Sequence, residues 1–301
     1  MPQNQFIRVG DFKARFWQQG DAGSPVVLVH GIGCSVLEWE RNIEALARRH
    51  RVYAVDLLGY GLTDKPGDAT YSLRQLAQFV LDFMTAAGLV QAHLAGNSLG
   101  GRLALQCAAM APERVLSLLL VAPAGMQRRG LLFEFRLATL PVIGEMFTRP
   151  TSFGTRMLWR KAFADPTQFV TDDLVTAKLT LASAPGAQAA FLKTLRGLVD
   201  FGGFRVESLR DLHAALPGIK APCLVLWGRG DRFVPASHAD ALKRALPEGE
   251  IQVWDRCGHV PQIECAHRFN ETAIGFWDGV DSRSETLLAM TPGLITHGSA
   301  I

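Results

Sequence analysis

Short stretches of β-branched and other apolar residues alternate along this chain with longer stretches of helical periodicity, and no other feature of the sequence limits the possible folds as strongly. Residues 26–29 and 52–55 are continuous apolar runs, which is typical of strands buried on both faces of a sheet. Residues 39–49 and 73–87 repeat apolar side chains at the spacing of an amphipathic helix. The alternation predicts βαβ units in a mostly parallel sheet with helices on both faces.

The alternation extends over most of the chain and is interrupted once. Further strands are predicted at residues 6–9, 13–18, 93–95, 115–121, 223–227 and 250–254, and further helices at 101–110, 236–245 and 266–277. Residues 124–216 are instead helical in pattern, rich in Leu, Phe, Arg and Met, and have no clear β-branched run. We therefore predict that residues 1–123 and 217–278 form one α/β core and that 124–216 form an inserted helical lid. Residues 279–301 show no firm periodicity and are predicted to be a C-terminal tail.

The composition is that of a globular protein with a large core. The chain has 301 residues, of which 48% are hydrophobic and 20% are charged, so it can bury a substantial core without disulfides or a structural metal. The formal net charge of +3 comes from 31 basic and 28 acidic residues that are scattered along the sequence. Because no concentrated positive field results, a nucleic-acid partner is not expected.

The cysteine content and the apolar stretches of the sequence bear on the cellular location of the protein. The five cysteines are widely spaced and odd in number, which argues against a disulfide framework and favours a reducing compartment. The first residues lack the basic flank and apolar stretch of a secretory signal, and the longest apolar stretch, around 115–121, is too short to span a bilayer. We predict a soluble cytoplasmic protein without stable membrane insertion. The sequence leaves the oligomeric state open, and a homodimer is one possibility.

The segment G-N-S-L-G at residues 96–100 matches the G-x-S-x-G pattern of a nucleophile elbow. In such an elbow a strand turns sharply into a helix and exposes the serine hydroxyl at the edge of the sheet. Five residues with three of them fixed recur by chance, but this match lies between a predicted strand and a predicted helix. We therefore predict that Ser98 is the nucleophile of a hydrolase.

A serine alcohol is a weak nucleophile until a base removes its proton, and the base is commonly a histidine that a carboxylate orients. Asp231 and His259 follow Ser98 in the order Ser, Asp, His, and each comes shortly after a predicted strand. Loops that follow parallel strands meet at one edge of the sheet, so both side chains can approach Ser98. We predict Asp231 as the orienting carboxylate and His259 as the general base.

A glycine-containing loop, H-G-I-G at residues 30–33, follows the predicted strand at 26–29. Acyl transfer builds negative charge on the carbonyl oxygen, which preorganised backbone N–H groups stabilise. We predict that the N–H groups of Ile32 and Leu99 form this oxyanion hole. Four neighbouring positions are assigned to substrate contact: Gly31, Gly33, Asn97 and Val260.

Three further residues near these segments have structural interpretations. His30 is expected to support its loop rather than to titrate, because His259 already fills the catalytic role. Asp56 is expected to tie loops together through a buried salt bridge or a turn contact. Cys34 lies close to the oxyanion loop, but no histidine is placed to activate it, so we do not predict a second nucleophile.

Together these segments resemble the α/β-hydrolase superfamily over roughly residues 6–278. The resemblance is carried by H-G-I-G at 30–33, D-L-L-G-Y-G at 56–61, G-N-S-L-G-G at 96–101, Asp231, and G-H at 258–259. It implies an α/β-hydrolase fold, with an eight-stranded, mostly parallel sheet and a lid inserted after the sixth strand. It also implies that the substrate lies between lid and elbow. The chemistry of such an enzyme requires neither a metal nor a cofactor.

The resemblance leaves two kinds of substrate open. A serine at the elbow differs from haloalkane dehalogenases and epoxide hydrolases, which use aspartate there. The elbow and the histidine segment are similar both to carboxylesterases or monoacylglycerol-lipase-like enzymes and to meta-cleavage-product hydrolases, which break carbon–carbon bonds in dienoates. The latter usually carry tryptophan after the catalytic histidine and a lid arginine that pairs with the substrate carboxylate. Here Val260 and Lys178 stand at those positions.

We favour hydrolysis of esters with small or medium acyl groups, because the predicted lid is apolar. Its large apolar residues include Phe133, Phe135, Leu137, Leu140, Phe147 and Trp159. The alternatives are a carbon–carbon hydrolase and, in another class, a ligand receptor of hydrolase fold with little turnover, against which the full catalytic set argues. Apolar residues around 131–147 could also meet a membrane or a lipid droplet, but we expect them to pack in the interior.

Overall fold

The computed structural model describes residues 2–246 and 248–290, and these contain ten strands. In chain order the strands are β1 (Gln5–Val9), β2 (Phe12–Gln19), β3 (Pro25–Val29), β4 (Arg51–Val55), β5 (Ala92–Asn97), β6 (Val115–Val121), β7 (Val199–Asp200), β8 (Gly203–Phe204), β9 (Cys223–Gly228) and β10 (Glu250–Trp254). Eight of them form one sheet in the order β1-β2-β4-β3-β5-β6-β9-β10, while β7 and β8 pair with each other.

Only the edge of the large sheet around β2 is antiparallel. β1 pairs with β2 and β2 with β4 in antiparallel fashion, and the remaining neighbours are parallel. The predicted eight-stranded, mostly parallel sheet is therefore confirmed. β3 lies between β4 and β5, so the strand order reverses there, and ligands in open α/β sheets bind at the carboxyl ends of strands at such a point.

Twelve α-helices accompany the strands within the described residues. They are α1 (Ile43–Leu46), α2 (Leu73–Ala86), α3 (Leu99–Met110), α4 (Phe133–Leu137), α5 (Ile143–Phe147), α6 (Ser152–Ala162), α7 (Asp172–Ala182), α8 (Ala187–Leu198), α9 (Val206–Ala215), α10 (Ser237–Ala245), α11 (Pro261–Glu264) and α12 (Ala266–Met290). Short 3₁₀ helices lie at Val36–Trp39, Pro112–Arg114 and Leu216–Gly218.

Apolar side chains pack on both faces of the sheet because successive residues of a strand point to opposite sides. In β3, Val27 belongs to the cluster that includes Leu76 of α2 and Leu103 of α3. Leu28 belongs to the opposite cluster, which includes Trp277 of α12. The continuous apolar run that defined this strand in the sequence is thus explained by burial on two sides.

Between β6 and β9 the chain forms helices α4 to α9 and the β7–β8 hairpin, and the helical pattern of the sequence did not indicate the hairpin. We call this segment the helical insert; that it works as a lid stays a prediction. The expectation that its first apolar stretch packs in the interior is wrong in part. Phe133, Ile143, Met146 and Phe147 are exposed, because α4 and α5 are each only five residues long and turn one side to solvent.

Two other expectations require correction. The helix predicted over 266–277 continues to Met290, so residues 279–290 of the predicted tail are helical; residues 291–301 lie outside the described part. The cysteines were expected to form no disulfide framework, yet Cys257 and Cys265 form a disulfide. The loop between β10 and α12 folds back on itself and brings their Cα atoms to 6.8 Å, a proximity that sequence spacing did not reveal.

Among the described residues, no helix is both long and apolar enough to cross a bilayer. In the same residues, no cluster of three or more His, Cys, Asp or Glu side chains is arranged to bind a metal ion.

Candidate active site

Ser98 occupies a sharp turn between β5 and α3, at the carboxyl edge of the sheet. Its φ of 55° and ψ of −113° lie in a region that non-glycine residues rarely adopt, as expected of a nucleophile elbow. Glycine is required on both sides: a Cβ on Gly96 would lie 2.3 Å from the Gly100 carbonyl carbon, and one on Gly100 would lie 2.1 Å from the Val29 oxygen. Close backbone contacts of β5 with α3 and of α3 with β3 therefore fix the conformation of the elbow.

Asp231 and His259 come together although 28 residues separate them. His259 Nδ1 lies 2.7 Å from Asp231 Oδ2, and both residues are buried. The other carboxylate oxygen accepts the N–H groups of Phe233 at 2.8 Å and Val234 at 2.9 Å. With Nδ1 donating to the carboxylate, Nε2 is left as the basic nitrogen of the imidazole.

The structure does not join Ser98 to His259 by a direct hydrogen bond. The two loops are instead connected by Asn97, whose Nδ2 donates to the His259 carbonyl at 2.9 Å and to the Val121 carbonyl at 3.2 Å. Catalytic hydrogen bonds are often absent before substrate binds, so the arrangement is compatible with a nucleophile and its base. Asn97 was predicted to contact substrate; its amide group is used to position the elbow against the histidine loop, and the substrate contact stays a prediction.

The loop after β3 forms a tight turn beside the elbow. The N–H of Cys34 donates to the Gly31 carbonyl at 3.2 Å, and Gly33 has a φ of +72°, which glycine adopts without strain. A Cβ on Gly31 would lie 3.5 Å from Ser98 Cβ, so the turn directly borders the nucleophile. Within the described residues, the N–H groups of Ile32 and Leu99 donate to no protein acceptor, as an oxyanion hole requires.

Glu38 is a residue of this region that sequence reasoning missed. It is fully buried, and its Oε2 accepts the Gly31 N–H at 2.8 Å. This bond fixes the start of the turn and removes the Gly31 N–H from the donors available to a substrate. An acidic residue among the apolar residues at 36–39 was the only signal of it in the sequence.

His30 and Asp56 have the supporting roles expected of them. His30 Nε2 accepts the Leu57 N–H at 3.0 Å, and Nδ1 lies 2.7 Å from the Gly31 carbonyl; burial lowers the pKa of His30, so the ring is neutral. Asp56 forms a buried ion pair with Arg15 at 2.5 Å. It also accepts the N–H of Val36 at 2.7 Å, which ties a neighbouring loop to the turn.

An apolar wall joins the histidine loop to the helical insert. Its buried members are Cys34, Trp159, Ala162, Phe163, Val260 and Ile263. Phe233 adds a ring whose centroid lies 5.0 Å from that of His259, and the Phe191 ring lies 3.4 Å from where a Cβ on Gly33 would be. Of the large apolar residues named for the predicted lid, Trp159 lies in this wall, whereas Phe133 and Phe147 face solvent.

One cation is buried against the same wall. Lys178 of α7 is only 6% exposed. Its Nζ has no hydrogen-bond partner among the described residues and lies 4.2 Å from the centroid of the Trp159 ring. Burial raises the pKa of the Cys34 thiol well above its ordinary value, which the positive charge of Lys178 partly opposes. Cys34 is therefore a neutral thiol, in agreement with the expectation that it is not a second nucleophile.

The histidine loop is held at both ends and by the insert. The His259 N–H donates to the Ala162 carbonyl at 2.7 Å. Glu264 accepts the N–H of Gly258 at 2.5 Å and, through its other oxygen, that of Ala164 at 2.7 Å. Because the disulfide closes the loop from Cys257 to residue 265, the backbone that carries the imidazole is fixed before any substrate binds.

Comparison with known proteins agrees with this architecture. The family model described as the α/β hydrolase fold matches residues 24–266. A dihydrolipoyllysine-residue acetyltransferase component of the acetoin cleaving system from Pseudomonas putida is 33% identical over 91% of this chain and 69% of that protein. A meta-cleavage product hydrolase from Pseudomonas fluorescens has a TM-score of 0.77 at 26% identity, covering 91% of this chain and 97% of that one. A bacterial membrane phospholipase A has a TM-score of 0.76 at 29% identity, covering 93% and 86%.

Proposed function

This chain belongs to the α/β-hydrolase fold family, and from this premise we propose that it is a serine hydrolase that cleaves carboxylic esters of small or medium acyl groups. The observation that carries the proposal is the 2.7 Å hydrogen bond between Asp231 and His259 at the strand edge where Ser98 sits in the strained elbow. A hydrolase fold used only for binding has no chemical need for an oriented imidazole next to an elbow serine.

In the proposed mechanism His259 Nε2 takes the proton of Ser98 Oγ as that oxygen attacks the substrate carbonyl. Negative charge develops on the carbonyl oxygen, and the N–H groups of Ile32 and Leu99 stabilise it. Protonated His259 then donates to the leaving alcohol, which leaves an acyl-enzyme. His259 next activates a water that hydrolyses the acyl-enzyme and restores Ser98. Every step uses groups of this chain, so the reaction needs no cofactor.

The environment of the site favours an apolar acyl group. The wall formed by Trp159, Phe163 and Val260 is largely apolar: its hydrogen-bonding groups are the indole N–H of Trp159 and the weak thiol of Cys34, and Lys178 lies against the Trp159 ring. Phe233 lies against the imidazole. The phospholipase A that shares the fold is an ester hydrolase by its name, which supports ester cleavage as the first candidate. A small-molecule carbonyl compound is the substrate class in any case.

Lys178 favours a second candidate, hydrolysis of a carbon–carbon bond in a dienoate. A buried ammonium that donates to no acceptor in the described part of the chain is costly unless a ligand provides a partner, and a substrate carboxylate would do so. The meta-cleavage product hydrolase that shares the fold supports this candidate by its name. Under this second candidate function, Ser98 and His259 would act on a ketone of a vinylogous 1,5-diketone rather than on an ester.

Two assays run side by side separate the candidates. Hydrolysis of p-nitrophenyl esters of increasing chain length is measured together with the bleaching of a yellow dienoate substrate. Ser98→Ala and Asp231→Asn should lower kcat by roughly three to four orders of magnitude in whichever assay is positive. The exposed Asp255→Asn variant is the matched control and should retain the rate. Equal rates for wild type and Ser98→Ala would refute the mechanism.

Lys178→Met tests the second candidate specifically. Met keeps the length and apolar stem of the side chain but removes the charge. If the substrate carries a carboxylate, the variant should raise KM for the dienoate by about tenfold to a hundredfold and leave KM for neutral esters unchanged. No dienoate turnover by the wild type, together with active ester hydrolysis, would leave ester cleavage as the function.

A further inference from the structure

Exposed apolar side chains are concentrated on the helical insert. Of twelve large hydrophobic residues that are exposed in the described part of the chain, nine lie between residues 124 and 216. We define the insert patch as the eight of these that lie on α4, α5, α6 and the β7–β8 hairpin: Phe133, Val142, Ile143, Met146, Phe147, Phe153, Met157 and Phe201. Scattered exposed apolar residues are normal, but a concentration of this kind marks an interaction surface.

The elements that carry the insert patch are joined to one another. The rings of Phe133 and Phe201 are in edge-to-face contact with centroids 6.2 Å apart, so α4 adjoins the hairpin. An ion pair between Lys161 and Glu134 links α6 to α4. Only residues 148–151 separate α5 from α6. The elements that carry the exposed residues are therefore neighbours in the fold.

Val142 is the most unusual residue of the insert patch. It is 69% exposed, and its φ of 65° lies in the left-handed region, where a β-branched residue is strained. This strained backbone turns an apolar side chain outward at the start of α5. Strained positions of this kind cluster at functional sites.

Several arginines in the segments that carry the insert patch have no carboxylate partner. The carboxylates of Glu134 and Glu145 are already paired, the first with Lys161 and the second with Arg196. By contrast, no carboxylate of the described residues pairs with the following four arginines, which flank the patch in sequence: Arg129, Arg136, Arg149 and Arg160. Arg136 lies over the rings of Phe133 and Phe201.

We propose that the insert patch docks peripherally on an anionic lipid bilayer, with its aromatic and Met side chains entering the interface and the unpaired arginines meeting lipid phosphates. Exposed apolar side chains combined with cations that lack a carboxylate partner are the combination that binds such surfaces. A second copy of this chain fits less well. In a twofold dimer the same surface of both copies meets, so the arginines of one copy would face the arginines of the other and repel them. A neutral apolar partner would leave the four arginines without counter-charges.

Docking on this side would bring the bilayer close to the candidate active site. In α6, Phe153 and Met157 face outward while Trp159 lies in the apolar wall. In α4, Phe135 packs inward on Phe233, which in turn contacts His259. The inference does not depend on the bond that the site cleaves, because vesicle binding is measured without turnover.

The test is sedimentation of the purified protein with vesicles of phosphatidylcholine alone or mixed with phosphatidylglycerol. The wild type should bind the mixed vesicles, and added salt should weaken this binding. Phe147→Ser combined with Phe153→Ser should weaken it by about tenfold or more. Arg149→Gln combined with Arg160→Gln should weaken it by about fivefold for each arginine removed. Val90→Ser, at a position 79% exposed outside the insert, is the matched control and should bind as the wild type does.

All four substituted positions are exposed, so we expect the variants to fold as the wild type does. Thermal unfolding of each variant checks this. Three outcomes would overturn the proposal. They are the absence of binding to the mixed vesicles, binding that the Phe147→Ser, Phe153→Ser variant retains in full, and a dimer in analytical ultracentrifugation that this variant abolishes. The last result would identify a second copy as the occupant.

Discussion

At the scale of single residues, the candidate site is organised by side chains that do not themselves react. Asn97 donates a hydrogen bond to the backbone carbonyl of His259, and Glu38 accepts one from the backbone N–H of Gly31, at the start of the turn after β3. Both are buried, so their hydrogen bonds are not exchanged for water. The positions of Ile32 and His259 therefore depend on Glu38, which no sequence motif marks, and on Asn97, for which the motif indicated a different contact.

Glu38 provides a prediction about this positioning. Glu38→Ala removes the acceptor of the Gly31 N–H, so the turn that carries Ile32 loses its fixed start. We expect kcat for a soluble ester to fall by about a hundredfold with little change in KM, because small displacements of preorganised groups act on the transition state. The buried, unsatisfied N–H should also cost about 1–3 kcal/mol of stability. Glu40→Ala, at an exposed position two residues away, is the control; similar kcat values for both variants would contradict this role.

At the scale of secondary-structure elements, the strand-to-helix turn leaves no room for side chains at its glycines. Gly100→Ala would place a Cβ 2.1 Å from the carbonyl oxygen of Val29, and neither backbone can move without disturbing β3 or α3. We expect a loss of more than about 3 kcal/mol in the free energy of unfolding, measured by urea denaturation. Gly275→Ala, in α12 with open space around it, should instead stabilise by about 0.5–1 kcal/mol. If both substitutions changed the free energy of unfolding equally, helix propensity rather than the close packing at Gly100 would explain the effect.

The histidine loop is the second element whose stability can be tested. The disulfide joins residues eight apart, so its removal in Cys257→Ala, Cys265→Ala should cost about 2–3 kcal/mol. A reductant should lower the urea midpoint of the wild type and leave that of the double variant unchanged. Thiol titration of the denatured protein, purified without reductant, should detect the three free cysteines Cys34, Cys107 and Cys223. Five thiols would show that the pair is reduced, as the predicted cytoplasmic location would favour.

At the scale of the whole molecule, a polar network fastens the C-terminal helix to the amino edge of the sheet. His93 Nε2 lies 3.1 Å from Asp281 Oδ1 and 3.0 Å from Ser24 Oγ, and Ser24 Oγ lies 3.0 Å from His50 Nδ1. Burial lowers the pKa of His93 to about 4 and also lowers that of His50. Both rings are therefore neutral in the folded protein at pH 7.

The network makes stability depend on pH in a defined direction. Below about pH 6.5 the unfolded chain binds protons on these histidines, whereas folded His93 does not until about pH 4. Stability is thus fully present above pH 6.5 and is lost as the pH falls toward 4, at roughly 1.4 kcal/mol per pH unit for His93. Urea denaturation at pH 7 and pH 5 measures this. His93→Gln should flatten the dependence, while exposed His267→Gln should not; an unchanged slope in His93→Gln would contradict the assignment.

The sequence by itself determined the alternation of strands and helices, the mostly parallel sheet and the elbow at Ser98. These follow from local periodicity and from glycine requirements, which neighbouring residues encode. It also gave the order of Asp231 and His259 after their strands, because loops at the carboxyl ends of parallel strands converge.

Only the tertiary structure decided which distant groups meet. The Asn97 bond to the His259 carbonyl, the Glu38 bond to Gly31 and the Cys257–Cys265 disulfide depend on how loops fold back, which no local pattern specifies. The helix beyond residue 278 was missed because its residues show no firm periodicity in the sequence, whereas the contact of Asp281 with His93 joins distant parts of the chain. The outward direction of Phe133 and Phe147 was missed for a related reason. The sequence of a short helix does not show which of its sides packs on the core, so an apolar residue there can be buried or exposed.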